Sequence, residues 1–237
     1  MKQDMKRALA AAFEAPPPEK KRAFFREKPI RYVNHLSFIL TQAGYVRKST
    51  WAASAVIFIL GLMLGRYAAR DALWAMAALT PLAALTAVTE SARSGLYGME
   101  ELELSTRFGL KSAVMARMGA IGLGHLALLC LTALLGRQVT DRGFVALGVY
   151  LLTPYLLTSM LGLAAVRRIR GREGLYVCAG IALLVSGLNG ALRTIWRGLY
   201  APSNLPWWLG VLAVCLWLTG REWRNTIRKK EELSWSL

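Results

Sequence analysis

Residues 112–135 read SAVMARMGAIGLGHLALLCLTALL. The run carries one charge, Arg117, and one histidine, His125. A helix of about 20 predominantly apolar residues crosses the hydrocarbon layer of a bilayer, and this run is long enough. Working outward, five more runs of the same kind appear: 51–65, 72–88, 144–166, 175–192 and 207–219. The first and last are short, so they are expected to borrow length from their flanks. Arg66 and Arg221 would then snorkel, with Tyr67 and Trp223 in the interface. Pro81 and Pro154 fall inside runs two and four, where neighbouring helices can satisfy the freed carbonyls. The chain therefore reads as all-α: a polytopic membrane protein with six transmembrane helices.

Composition agrees. Of 237 residues, 55% are hydrophobic, above the usual share for a soluble domain. Thirty Lys and Arg stand against 14 Asp and Glu, a formal charge of +16. Such an excess suits nucleic acid or an anionic membrane surface. The block-wise apolar runs decide for membrane lipid and against nucleic acid, since a basic DNA-binding domain has no use for repeated spans. With both termini placed in the cytoplasm, 23 of the basic residues fall in inner segments and 6 in outer loops, with Arg117 at a boundary. The positive-inside bias then predicts a multi-pass protein of the cell's inner (plasma) membrane with both ends cytoplasmic.

Four regions follow. Residues 1–33 form a basic cytosolic tail with short helices, broken by Pro16–Pro18 and Pro29, and show no signal-peptide core. Residues 34–50 carry apolar positions at helical spacing behind Asn34, an N-cap candidate, and end on Arg47 and Lys48. They read as an amphipathic helix on the inner membrane face or packed on another protein. Residues 51–220 are the transmembrane domain, and 221–237 a basic cytosolic tail. The third outer loop, 193–206, carries Trp196 and Tyr200 and suits a helix lying in the outer interface.

Chemistry is sparse. Cys130, Cys178 and Cys215 all lie in apolar runs without metal-ligand spacing and read as small buried hydrophobes. His125 lies mid-span with no carboxylate one turn away. It reads as a helix-to-helix hydrogen bond or as part of a polar path. Asn189 and Arg193, near the outer end of the fifth run, either join that path or cap and snorkel. HExxH, GxSxG and P-loop patterns are absent from the sequence. The acid pair Glu100–Glu101 begins like a prenyl-endopeptidase motif, but the later intramembrane histidines of that motif are missing. No catalytic residue, metal site or cofactor site is expected in this chain. Frequent small residues in runs three and five (Gly119, Gly122, Gly124, Gly180, Ser186, Gly187 and Gly190) would permit close helix approach.

The long polar interruption before run three, residues 90–117, places acids first (Glu90, Glu100, Glu101, Glu103) and, Arg93 apart, bases after (Arg107, Lys111, Arg117). Between them lies the short amphipathic turn Leu102, Glu103, Leu104, Ser105, Thr106, Arg107, Phe108. It reads as a solvated connector or as a docking surface for a soluble partner. An acidic-apolar segment, then a base and a helix running into span three, resembles the pattern of type-2 ABC exporter permeases. The basic tail, the helix before span one and the six spans resemble that family's architecture. The resemblance implies an elbow helix at 34–48 and an outer helical element at 193–206. It implies a coupling helix at Glu100–Phe108 that docks on a separate ABC ATP-binding subunit, and a second permease subunit, identical or different. ATP and Mg would be held by the partner. The rival reading is a membrane sensor or anchor whose N-terminal tail binds a cytosolic regulator.

Overall fold

The computed structural model describes residues 35–68, 72–96, 109–138, 140, 142–169, 171–196 and 198–235. The tail 1–33 and the expected coupling segment Glu100–Phe108 lie outside the described residues. What is described is all-helical. It consists of α1 (His35–Tyr45), α2 (Lys48–Ala68), α3 (Ala72–Leu96), α4 (Gly109–Gly136), α5 (Phe144–Arg168), α6 (Arg172–Ile195) and α7 (Leu205–Trp235), with one 3₁₀ turn at Pro202–Asn204. The six helices α2 to α7 are each long and apolar enough to cross a membrane.

The short first run is lengthened as expected, because α2 takes in Lys48–Thr50 and continues to Ala68. At 1.5 Å per residue it is about 31 Å long, the thickness of the hydrocarbon core. The helix before it is correspondingly shorter than 34–50. It stops at Tyr45, and Val46, 3% exposed, makes the bend. α3 runs past the end of its apolar run to Leu96, so Glu90 stands on a helix rather than in a connector. Pro81 and Pro154 are both inside continuous helices.

Two helices form the centre. More than half the span positions of α3 and α5 are buried (56% each), against 22% for α2 and α6 and 6% for α7. α3 packs on α2, α5 and α6, and α5 packs on α3, α6, α7 and α4. Alanines make this possible: Ala77, Ala83 and Ala84 of α3 and Ala133 of α4 are 0% exposed, so neighbouring backbones come close. Tyr150, Leu147 and Leu151 of α5 fill the space between. The outward faces stay apolar, with Ile59, Leu60, Met63 and Leu64 on α2 and Leu183, Leu184 and Leu188 on α6 about half or more exposed, as lipid contact requires.

The connection from α6 to α7 departs from expectation. Instead of a helix in the outer interface, residues 198–201 turn back and lead through the single 3₁₀ turn into α7. Tyr200 points inward and is 4% exposed, while Trp196 remains outside. The reason is mutual aromatic packing. Tyr200 stacks on Trp208 with centroids 5.0 Å apart and meets Trp74 edge-on at 4.4 Å and Tyr150 edge-on at 5.1 Å. Its hydroxyl donates to Asn189 Oδ1 at 2.9 Å, and Trp208 Nε1 donates to the Leu199 carbonyl at 3.0 Å. Burial pushes the Tyr200 phenol above its ordinary range.

Candidate functional site

Polar side chains in an apolar bundle are costly, so where they gather is informative. Here they gather on the seam that α2 makes with α3 and α4, with α5 reaching it through His125. Ser54 and His125 are 0% exposed, and Glu90 6%. α2 presents Thr50 and Ser54 one turn apart on its inward face, and α3 presents Thr86 and Glu90 at the same spacing. α4 and α5 contribute His125 and Tyr155 respectively.

The contacts form two storeys. At the lower one, the Thr50 hydroxyl donates to Glu90 Oε2 at 3.1 Å, and Arg93 Nη1 donates to Glu90 Oε1 at 3.0 Å. Both carboxylate oxygens are thereby engaged, which is what a nearly buried charge requires. At the upper one, Ser54 Oγ lies 2.8 Å from His125 Nε2, 2.9 Å from Thr86 Oγ1 and 2.9 Å from the Thr50 carbonyl. His125 Nδ1 lies 3.0 Å from the Tyr155 hydroxyl. The imidazole meets the Tyr155 ring edge-on at 5.7 Å and the Phe58 ring at 6.2 Å.

Proton accounting constrains this cluster. The Thr86 hydroxyl is spent on the Ala83 carbonyl at 2.8 Å. Ser54 has one proton for three acceptors. It donates to the Thr50 carbonyl or Thr86 and accepts from His125 Nε2–H, in which case Tyr155 donates to Nδ1. Alternatively it donates to Nε2, and His125 Nδ1–H then points at the Tyr155 oxygen. Both arrangements satisfy the imidazole with the ring neutral.

A serine hydroxyl hydrogen-bonded to a histidine, itself oriented by a third group, is the layout of a nucleophile and its base. The surroundings do not support that chemistry. Both residues are wholly enclosed, and three polar neighbours at 2.8–2.9 Å take up the approaches to Ser54 Oγ where a reacting atom would have to sit. Among the described residues no three His, Cys, Asp or Glu side chains converge as a metal site would need. The cluster is built to join helices.

The expected polar path is divided. His125 belongs to this seam, whereas Asn189 on α6 is bound to Tyr200 at the opposite end of the bundle. Arg193 lies one turn beyond Asn189 on α6, and its side chain lies outside what is described. Of the cysteines, Cys178 and Cys215 are buried, but Cys130 faces outward, correcting the expectation for all three. The glycines divide too. A Cβ at Gly124 would collide with the Trp51 ring, whereas Gly119, Gly122, Gly180, Gly187 and Gly190 face open space. Ser54, Thr86 and Tyr155 were not singled out by sequence. The signal for Ser54 and Thr86 is period: Thr50 and Ser54, and Thr86 and Glu90, recur at i and i+4 in otherwise apolar runs, whereas Tyr155 carries no such mark.

Near the foot of the seam, Glu90 and Ser91 of α3 and Val114, Arg117, Met118 and Ile121 of α4 line a small recess. Across the same end of the bundle, Arg167 of α5 pairs with Glu222 of α7 at 2.8 Å. Comparison with family models, with curated proteins and with solved structures gives no match.

Proposed function

We propose that this chain is the membrane-spanning permease subunit of an ATP-driven exporter of the type-2 ABC kind. It would work with a separate ATP-binding subunit, which holds ATP and Mg, and with a second permease subunit. Both termini and the 97–108 connection would face the cytoplasm. The observation that carries the reading is the anchoring of both helices that flank the polar connection. α3 leads into it and is tied to α2 through Glu90 and Thr50. α4 leaves it and has α1 packed along its side. Each is joined to the central helix α5. A displacement of Leu102–Phe108 by closing ATPase subunits would therefore be carried into the bundle by rigid helices. Leu102, Leu104 and Phe108 would supply the apolar contacts, and Glu100, Glu101, Glu103 and Arg107, with Ser105 and Thr106 between, the register. The scarcity of charge along the spans favours lipid-like, amphipathic or peptide cargo over small ions.

The test combines Glu101→Lys and Glu103→Lys with Phe108→Ala. Co-purification of the ATP-binding subunit in mild detergent and transport are both expected to fall, with the permease still folded. Undiminished co-purification and transport would refute the reading.

A further inference from the structure

α2 is fastened in two different ways. Against α3 the seam has an apolar part set by small residues: Gly61 faces Leu79, and Gly65 is packed on Met76, where an added Cβ would come within 3.2 Å. It also bonds α3 through Thr50–Glu90 and Ser54–Thr86, whereas against α4 it is held by the Ser54–His125 hydrogen bond, with Tyr155 of α5 behind the imidazole and one indole, Trp51, lying over the notch at Gly124. A seam made of interlocked apolar side chains has one good register. A seam made of hydroxyls and an imidazole has several, because hydrogen bonds can be exchanged among neighbours. Ser54 shows this directly: its single proton has three acceptors within 2.9 Å. When it leaves His125, the Thr50 carbonyl and Thr86 still satisfy it. Tyr155 keeps His125 satisfied on its other nitrogen. At the moment of parting Ser54 keeps its other partners and His125 Nε2 alone loses one, so the expense of orphaned polar groups in the apolar layer is confined to a single nitrogen.

We infer that Ser54, His125 and Tyr155 form a releasable latch, and that α2 is a movable wall of the bundle which turns on its α3 seam when the latch opens. The groups facing the latch are Thr50, Ser54 and Phe58 from α2, Thr86 from α3 and Tyr155 from α5. The nearest carboxylate, Glu90, is committed to Thr50 and Arg93. The Glu90–Thr50 clasp at the foot of the seam is the hinge pin, since it ties the start of α2 to the helix that enters the 97–108 connection. The proposed function enters only in naming what pulls on that connection; the latch exists without it.

Cross-linking tests the latch on the intact chain in native membranes. A cysteine pair at Trp51 and Gly124 reports the α2–α4 seam, and a pair at Gly61 and Leu79 reports the α2–α3 seam, each closed by a short bis-methanethiosulfonate reagent. In a Ser54→Ala or His125→Leu background, the yield at the first pair is expected to fall roughly threefold to tenfold, the weight of one or two hydrogen bonds in a membrane. The second pair should keep its yield. An unchanged first pair would overturn the latch. An equal fall at both pairs would overturn it as well, because the residues would then be general cement. A chain that passes this test yet binds no ATP-binding subunit would retain the latch and lose the proposed function.

Discussion

Removing the Tyr200 side chain separates two accounts of the connection between α6 and α7. In the interfacial account, Tyr200 rests among lipid headgroups and Tyr200→Ala matters little. In the structure it is 4% exposed, ringed by Trp74, Tyr150 and Trp208, and bonded to Asn189. Truncating a buried aromatic of this size costs about 3–5 kcal/mol. Tyr200→Phe keeps the ring and removes only the hydroxyl, leaving buried Asn189 Oδ1 without that donor, for about 1–3 kcal/mol. The lower end is favoured, since hydrogen bonds within membrane bundles average about 0.6 kcal/mol. Tyr67→Ala, at a position 83% exposed, is the control and should be near neutral. Unfolding in mixed micelles by increasing SDS gives all three values. The phenol adds a pH signature. Its value is raised in the folded protein, so the stability it contributes is complete below the unfolded value near 10 and is lost as pH climbs above it. Tyr200→Phe should flatten part of that alkaline decline. A Tyr200→Ala variant within about 0.5 kcal/mol of the parent, or no weaker than Tyr67→Ala, would refute the inward placement.

Two further perturbations address other parts of the bundle. Gly124→Ala should destabilise by about 1–3 kcal/mol through overpacking on Trp51, with Trp51→Ala relieving it, whereas Gly122→Ala should be tolerated; the same SDS titration reads each. Arg167→Glu or Glu222→Arg alone should loosen α7, seen as faster proteolysis of the C-terminal segment, and the double exchange should restore much of the parent rate.

Several features were legible in the chain from elementary rules. Spans need about 20 apolar residues, and the six runs supplied them once the flanks at Lys48 and Leu205 were counted. His125 stood out because an intramembrane histidine is rare. Its partners did not, since a hydroxyl inside an apolar run looks alike whether it bonds its own helix or another. Thr132 and Thr153 bond backward to carbonyls of their own helices. Ser54 also does so, yet it reaches His125 from 71 positions away along the chain. Tyr200 and Trp196 sit in the same polar, aromatic-bearing connection, and sequence had no means to send one inward and leave the other outside.

Sequence by itself determined that the described residues are helical and that six of the helices are long and apolar enough to cross a membrane, because bilayer thickness and helical rise act on local stretches. Tertiary structure alone decided which helices are central, which glycines are contacts and which hydroxyls meet the histidine. Those outcomes depend on the rotation of each helix about its own axis and on its choice of neighbours. Apolar runs in an apolar solvent carry little record of either, since lipid and protein interior are nearly equivalent surroundings for a leucine.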